Sequence, residues 1–279
     1  MKVNLIYCHF KKLARSKFAM ALPVTFLILF VSTLGLVTFT YYFSVERINS
    51  QGQTLKVSTA KENLLSLDNE IVSTLGQPGS SSTFDLTDSG GRISIQPTKN
   101  VLTLIINDSQ NIKTTIFNET IGKITYELPY SRTSETGLYL KGDGRTIINQ
   151  RGDSTSQLCI AQGTENQEIQ LHYRPIVASV TAGLENGKTV NNIRIYVVNL
   201  NSSFDLALMG ELPLQISCLN TKLTSQNYEV SYQPGSLLVT SVLDGVSGSI
   251  SVPISSNTEG AIIHMETVIS NVSIQRWIR

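Results

Sequence analysis

The chain has 279 residues, 41% of them hydrophobic and 15% charged, which is enough for one large or two ordinary domains and too apolar for disorder throughout. Twenty-two Lys and Arg against 21 Asp and Glu leave a net charge of +1, so the broad basic field that nucleic-acid binding needs is missing. Charge is nevertheless segregated: Lys2, Lys11, Lys12, Arg15 and Lys17 all precede Glu46, the first acid.

Phe18 to Phe43 is a run of 26 residues without a charge. It exceeds the roughly 20 residues that a helix needs to cross a bilayer core. It is also longer than the apolar region of a cleaved secretory signal, and no clear small-x-small site closes it. A retained transmembrane helix is therefore expected. The basic residues of 1–17 place the N-terminus in the cytoplasm by the positive-inside rule, with the rest of the chain outside, and Tyr41, Tyr42 and Phe43 suit the aromatic belt of the outer interface. Pro23 falls in the first turns of this helix, where a missing backbone donor costs little.

Over 44–76 the apolar residues Val45, Ile48, Leu55, Leu64, Leu67, Ile71 and Leu75 recur mostly at intervals of three, four or seven, which is helical spacing. Gly76 and Pro78 are stop signals, so the helix should end near Leu75. If continuous from Phe18, it has about 58 residues and a length of about 87 Å. Gly52 is its weakest point, at about 1 kcal/mol relative to Ala. The stripe from Leu55 to Leu75 should pack on the following domain.

From residue 83 to 279 the period changes to short β-rich runs, among them RISIQ, VLTLII, KITYEL, EIQLHY, NIRIYVV and SLLVTSV. Turn signals such as Ser89-Gly90-Gly91, Asp143-Gly144, Asn186-Gly187 and Asp244-Gly245 separate them. The alternation of Ile193, Ile195 and Val197, and of Leu212, Leu214 and Ile216, calls for one buried and one solvated face. The fold class expected is α+β, a long transmembrane and stalk helix followed by an antiparallel β-sandwich-like domain.

In this plan the chain resembles type IV pilin-like proteins, of the archaeal kind, and the stretch KKLARSKFAMALPVTFLILFVSTLGLVTFTYYFSVERI carries the resemblance. The resemblance implies cleavage of the basic leader, nearest to Ser16 and Lys17, with Ala21 then at the fifth position, where many bacterial pilins have Glu. It also implies lateral association of the Ala19 to Phe43 helices. The partners would be membrane lipid and copies of the chain or other pilin-like subunits, not nucleic acid.

Signatures of other chemistry are sparse. Cys8 lies in the leader, whereas Cys159 and Cys218 lie in the external part, where they form either a disulfide or two buried thiols. His172 and His264 sit in separate strand-like runs without a metal-ligand or triad spacing, and are read as structural. Gly245-Val246-Ser247-Gly248 misses the nucleophile-elbow spacing, and no phosphate loop is present. Asn107, Asn118, Asn201 and Asn271 begin Asn-x-Ser/Thr sequons compatible with external glycosylation. Arg151-Gly152-Asp153 is read as a turn, and Tyr126, Tyr130, Tyr139 and Trp277 as strand packing. No catalytic residue, metal or cofactor is assigned. The expected role is a membrane-anchored structural protein of the cell surface; the alternative is an anchored binding module that captures a ligand or an envelope partner.

Overall fold

A computed structural model describes residues 17–107, 113–129, 136–150, 154–163 and 166–278, with side chains from residue 23 onward in the helix. Ser16, Cys8 and the rest of the leader, Tyr130 and Arg151-Gly152-Asp153 lie outside these residues, as does the side chain of Lys17.

One helix, α1, runs from Lys17 to Thr74 with Pro23 in its early turns. It ends one residue before the expected Leu75. Gly76, at φ +75°, takes the left-handed conformation that closes helices, and Gly79 N–H reaches the Cys218 carbonyl at 2.8 Å. The chain divides between Thr54 and Leu55 into two compact units. In the first unit the helix is long and apolar enough to cross a membrane, and no side chain in the apolar window is buried by the rest of the chain. Three of its hydroxyls are satisfied within the helix: Thr33, Thr38 and Thr40 each donate to the carbonyl four residues back, at 2.7–2.8 Å. That local pairing suits a non-aqueous environment, where an unpaired hydroxyl is costly.

The second unit contains the end of the helix and sixteen strands. The first six are β1 (Ser81–Leu86), β2 (Arg92–Gln96), β3 (Val101–Asn107), β4 (Lys113–Thr120), β5 (Lys123–Glu127) and β6 (Tyr139–Lys141). Next come β7 (Ile148–Asn149), β8 (Ser156–Gln162), β9 (Gln167–Tyr173), β10 (Ile176–Glu185) and β11 (Lys188–Asn199). The last are β12 (Leu206–Met209), β13 (Leu212–Val230), β14 (Ser236–Leu243), β15 (Val246–Pro253) and β16 (Ala261–Arg276).

They form three sheets. The long sheet has the order β1-β13-β16-β11-β10-β7, the helix-facing sheet β12-β2-β5-β9-β8-β6, and the small sheet β15-β14-β3-β4. Two corrections to the expected antiparallel sandwich follow. Among the described residues there are three sheets where a pair was expected, and the long one is mixed, because β16 runs parallel to β11 and β7 parallel to β10. Two of the expected turns are tight hairpins: Asn186-Gly187 joins β10 to β11 and Asp244-Gly245 joins β14 to β15, with all four residues at positive φ.

The long sheet serves two cores from opposite faces. One core packs Ala60, Leu64, Leu67 and Ile71 of α1 and the helix-facing sheet against Leu212, Leu214 and Ile216 of β13 and Val272 and Ile274 of β16. The other packs the small sheet against Ile193, Ile195 and Val197 of β11 and Ile263, Met265 and Ile269 of β16. Side chains alternate in a strand, so odd positions of β16 facing one core and even positions facing the other are on opposite sides of the sheet. β11 switches in the same way, with Val197 in the second core and Val198 and Leu200 in the first. β13 switches by a bulge, Cys218 pairing with Val272 and Asn220 with Asn271, which leaves Leu219 exposed.

The helix is thus part of the domain's core as well as its lead-in. Leu64, Leu67 and Ile71 follow the expected stripe and are fully buried, each worth about 1.5–3 kcal/mol, whereas Leu55 is exposed. Gly260, at φ +109°, lies against Val230, and a Cβ there would meet the Val230 carbonyl oxygen at 1.9 Å. Gly260→Ala should therefore destabilise the domain by about 2 kcal/mol through strain and forced separation of the β13–β16 pairing, measured as a lower urea midpoint.

Candidate functional site

Because the helix and the helix-facing sheet cover their face of the long sheet only beside the first core, the rest of that face is open. The open part is built from even-numbered positions of β11 and β16, whose odd-numbered neighbours fill the second core. Register aligns it in three rows across four strands. Val180, Asn192, His264 and Asn227 make one row, Ala178, Arg194, Glu266 and Ser225 the next, and Ile176, Tyr196, Val268 and Leu223 the third. A depression of about 580 Å³ lies on the first two rows and reaches Tyr196 and Gln150. Its volume is in the range of small-ligand sites.

The charged groups in this depression compensate one another. Arg194 Nε donates to Glu266 Oε2 at 2.5 Å, and Tyr196 is its neighbour on the open face of β11. The Glu266 hydrogen bond is the first cause of a raised Arg194 pKa. His264 Nδ1 is 2.8 Å from Asn227 Oδ1, and its Nε2 is 3.8 Å from a Glu185 carboxylate oxygen. Arg194 and Glu266 are the only fully charged side chains lining the depression, so it carries no net charge among the described residues. The side chains of Gln150, Asn192 and Ser225 have no hydrogen-bond partner among the described residues and are available to a ligand.

A second polar assembly is structural. Asp68 of α1 is completely buried and accepts hydrogen bonds from the Ser156 hydroxyl at 2.8 Å, the Tyr173 hydroxyl at 2.9 Å and Lys141 Nζ at 2.5 Å. Burial and the Asp68 carboxylate push the Tyr173 phenol well above its ordinary value, so it acts only as a donor. Beside it, buried Arg174 donates to the carbonyls of Asp143, Ser154 and Arg145 and to Asp143 Oδ1 at 2.6 Å. Hydrogen bonds from Arg145 and then Arg174 hold the Asp143 carboxyl well below the usual range. This fixes the loop around Gly142 to the sheet.

The predicted site residues are dispersed. Cys159 is half-buried on β8 of the helix-facing sheet, Cys218 is buried on β13 of the long sheet, and both are free thiols; the disulfide alternative is not the arrangement seen. Burial, then the Glu168 charge, raises the Cys159 pKa and keeps it a thiol. Asn118 is exposed on β4, where it accepts from Thr103; Asn201 follows β11; Asn271 Nδ2 donates to Asn220 across β13 and β16; Asn107 ends β3. They share no surface feature. Tyr126 is in the first core, with its hydroxyl 2.6 Å from Ser89 Oγ, whereas Tyr139 is three strands away at the sheet's edge. Trp277 closes β16 with its backbone N–H on the Pro213 carbonyl.

The two histidines differ. His172 is structural, with Nδ1 buried and unpartnered, but His264 lies in the open depression. Among the described residues neither is hydrogen-bonded to a Ser, Thr or Cys, and no three His, Cys, Asp or Glu side chains gather as metal ligands. The depression itself escaped the sequence reading. Its only sequence signal is the polar half of the strand alternation, Asn192, Arg194 and Tyr196 beside His264 and Glu266, and that pattern also describes an ordinary solvated face.

No protein-family model matches the sequence, and neither the curated proteins nor the solved structures contain a match.

Proposed function

We propose that the chain is a single-pass membrane protein of pilin-like type, N-terminus inside, that presents its β-domain outside the cell as a structural or adhesive element. The observation that carries this reading is the apolar first half of α1, exposed along its whole described length. Phe26, Leu27, Phe30, Leu34 and Phe39 project from different sides of it, and only lipid or other helices can cover such a surface. The basic residues before the span favour a cytoplasmic leader, and a cut beside Ser16 and Lys17 would free the helix for lateral association with copies of itself.

Intact mass and N-terminal sequencing of protein taken from its native membrane test the reading. A new terminus at Lys17, with filaments visible by electron microscopy, is the expected result. An uncut Met1 terminus on isolated single chains would overturn the filament role. It would leave the second reading, an anchored binding module, which is favoured by the open depression on the long sheet, where Arg194 and Glu266 offset each other's charge.

A further inference from the structure

From the three rows of the open face we infer that the depression binds a neutral saccharide. The inference rests on the binding-module reading and gives it a ligand class.

Charge gives the first, small preference. Arg194 is paired with Glu266, so an anionic ligand would have to displace a carboxylate from the guanidinium, and a cationic one would have to displace the guanidinium from Glu266. The pair is exposed, 57% on Arg194 and 31% on Glu266, so breaking it costs little, a small but definite preference for a ligand that leaves it intact. A neutral ligand needs no such exchange.

Hydrogen-bonding capacity comes next. Asn192 and Gln150 each offer two donors and an acceptor carbonyl, and Ser225 a hydroxyl of either role; all three are unpartnered among the described residues. A ligand that matches this set presents many hydroxyls, each both donor and acceptor. The third requirement is an apolar platform beside the polar rows. Tyr196 and Leu223 supply it, 37% and 57% exposed, in the row formed with Ile176 and Val268. Sugar rings have C–H faces that lie on an aromatic surface while their hydroxyl rims reach sideways. The floor spans four strands, about 14 Å across at the usual strand spacing, which admits a short oligosaccharide and not only one ring.

The test uses the full chain in a detergent without a sugar headgroup. Saturation-transfer NMR is run against neutral trisaccharides of glucose, mannose and N-acetylglucosamine, and against a lysine-rich and a glutamate-rich peptide. At least one trisaccharide should receive saturation. Tyr196→Ala and Asn192→Ala should each weaken its binding tenfold or more. Ser249→Ala, on the small sheet, should leave it unchanged. Both groove positions are on the solvated face, so thermal unfolding should stay near that of the parent and separate loss of binding from loss of fold. Absence of transfer to every trisaccharide, or transfer that survives both groove variants, overturns the saccharide assignment. If a peptide binds instead and is lost in the same variants, the binding-module reading stands and only its ligand class falls. If no probe binds, both fall.

Discussion

Asp68→Ala should destabilise the β-domain by about 3–5 kcal/mol, the range for removing one partner of a buried charged network. The substitution strands the Lys141 ammonium and the Tyr173 and Ser156 hydroxyls, which share Asp68 as acceptor across a helix and three strands. Lys141 is 29% exposed on its side chain and can turn toward water, whereas Tyr173 cannot. For a unit of this size the expected loss is about 6–20 °C in Tm. Thermal unfolding of the full chain in detergent, followed by near-ultraviolet circular dichroism, measures it. Replacing Asp68 with Leu and Lys141 with Met together should cost less than the two single changes summed, because the pair then leaves no orphaned charge. A drop below about 1 kcal/mol for Asp68→Ala would show that the helix is held by its apolar stripe alone.

The second expected result is a loss of stability between neutral pH and pH 4 that vanishes in a His172 variant. Burial, and then the charge of Lys123, push the His172 imidazole down to about 4, against an ordinary value near 6.5; Asp244 acts in the opposite direction. The unfolded chain therefore takes up the proton first. Stability falls as pH drops below about 6.5 and stops falling from this source below about 4, a total of about 3 kcal/mol. Urea midpoints at pH 7 and pH 4.5 should differ strongly in the parent chain and much less in His172→Gln, which stays uncharged. The acid-side effect of Asp143 lies lower, since its carboxyl is held well below the usual range and its contribution is lost only as pH falls through that lower value. Equal pH dependence in parent and variant would place the sensitivity elsewhere.

The Nδ1 of His172 is one of several buried side-chain atoms without a hydrogen-bond partner among the described residues. Arg174 Nη2 and Ser241 Oγ are two others, and the Thr146 hydroxyl donates to the Ser241 carbonyl at 3.3 Å. Polar groups in such a position are the usual hosts of ordered water.

Much of this architecture was legible along the chain. The apolar run Phe18–Phe43 and the three-and-four spacing of Leu64, Leu67 and Ile71 are local consequences of helix geometry. The end of α1 at Thr74 followed from Gly76, and the hairpins at Asn186-Gly187 and Asp244-Gly245 from residues that tolerate positive φ. Each of these features is decided within a few residues, so no long-range information is needed. Burial of Asp68 was hidden for the opposite reason: it sits in a helical run among Ser66, Asn69 and Glu70, and only Tyr173 and Ser156, 105 and 88 residues away, make it an interior charge.

Sheet order also depends on distant pairing. Nothing in NIRIYVV or AIIHMETVIS distinguishes a parallel from an antiparallel neighbour, yet β11 and β16 run side by side in the same direction. The switch of core between Val197 and Val198 reads in the sequence as an unremarkable apolar pair. Its meaning comes from the separate layers that cover the two faces. The open depression follows from that switch, because one face of the long sheet is covered at one end and bare at the other. The sequence by itself determined the apolar helix, its end, the strand periods and the tight turns, since each rests on local backbone preference and hydrophobic spacing. Tertiary structure alone decided the mixed sheet, the interior position of Asp68 and the exposed row of Asn192, Arg194, His264 and Glu266, since each depends on which distant strand comes to lie beside which.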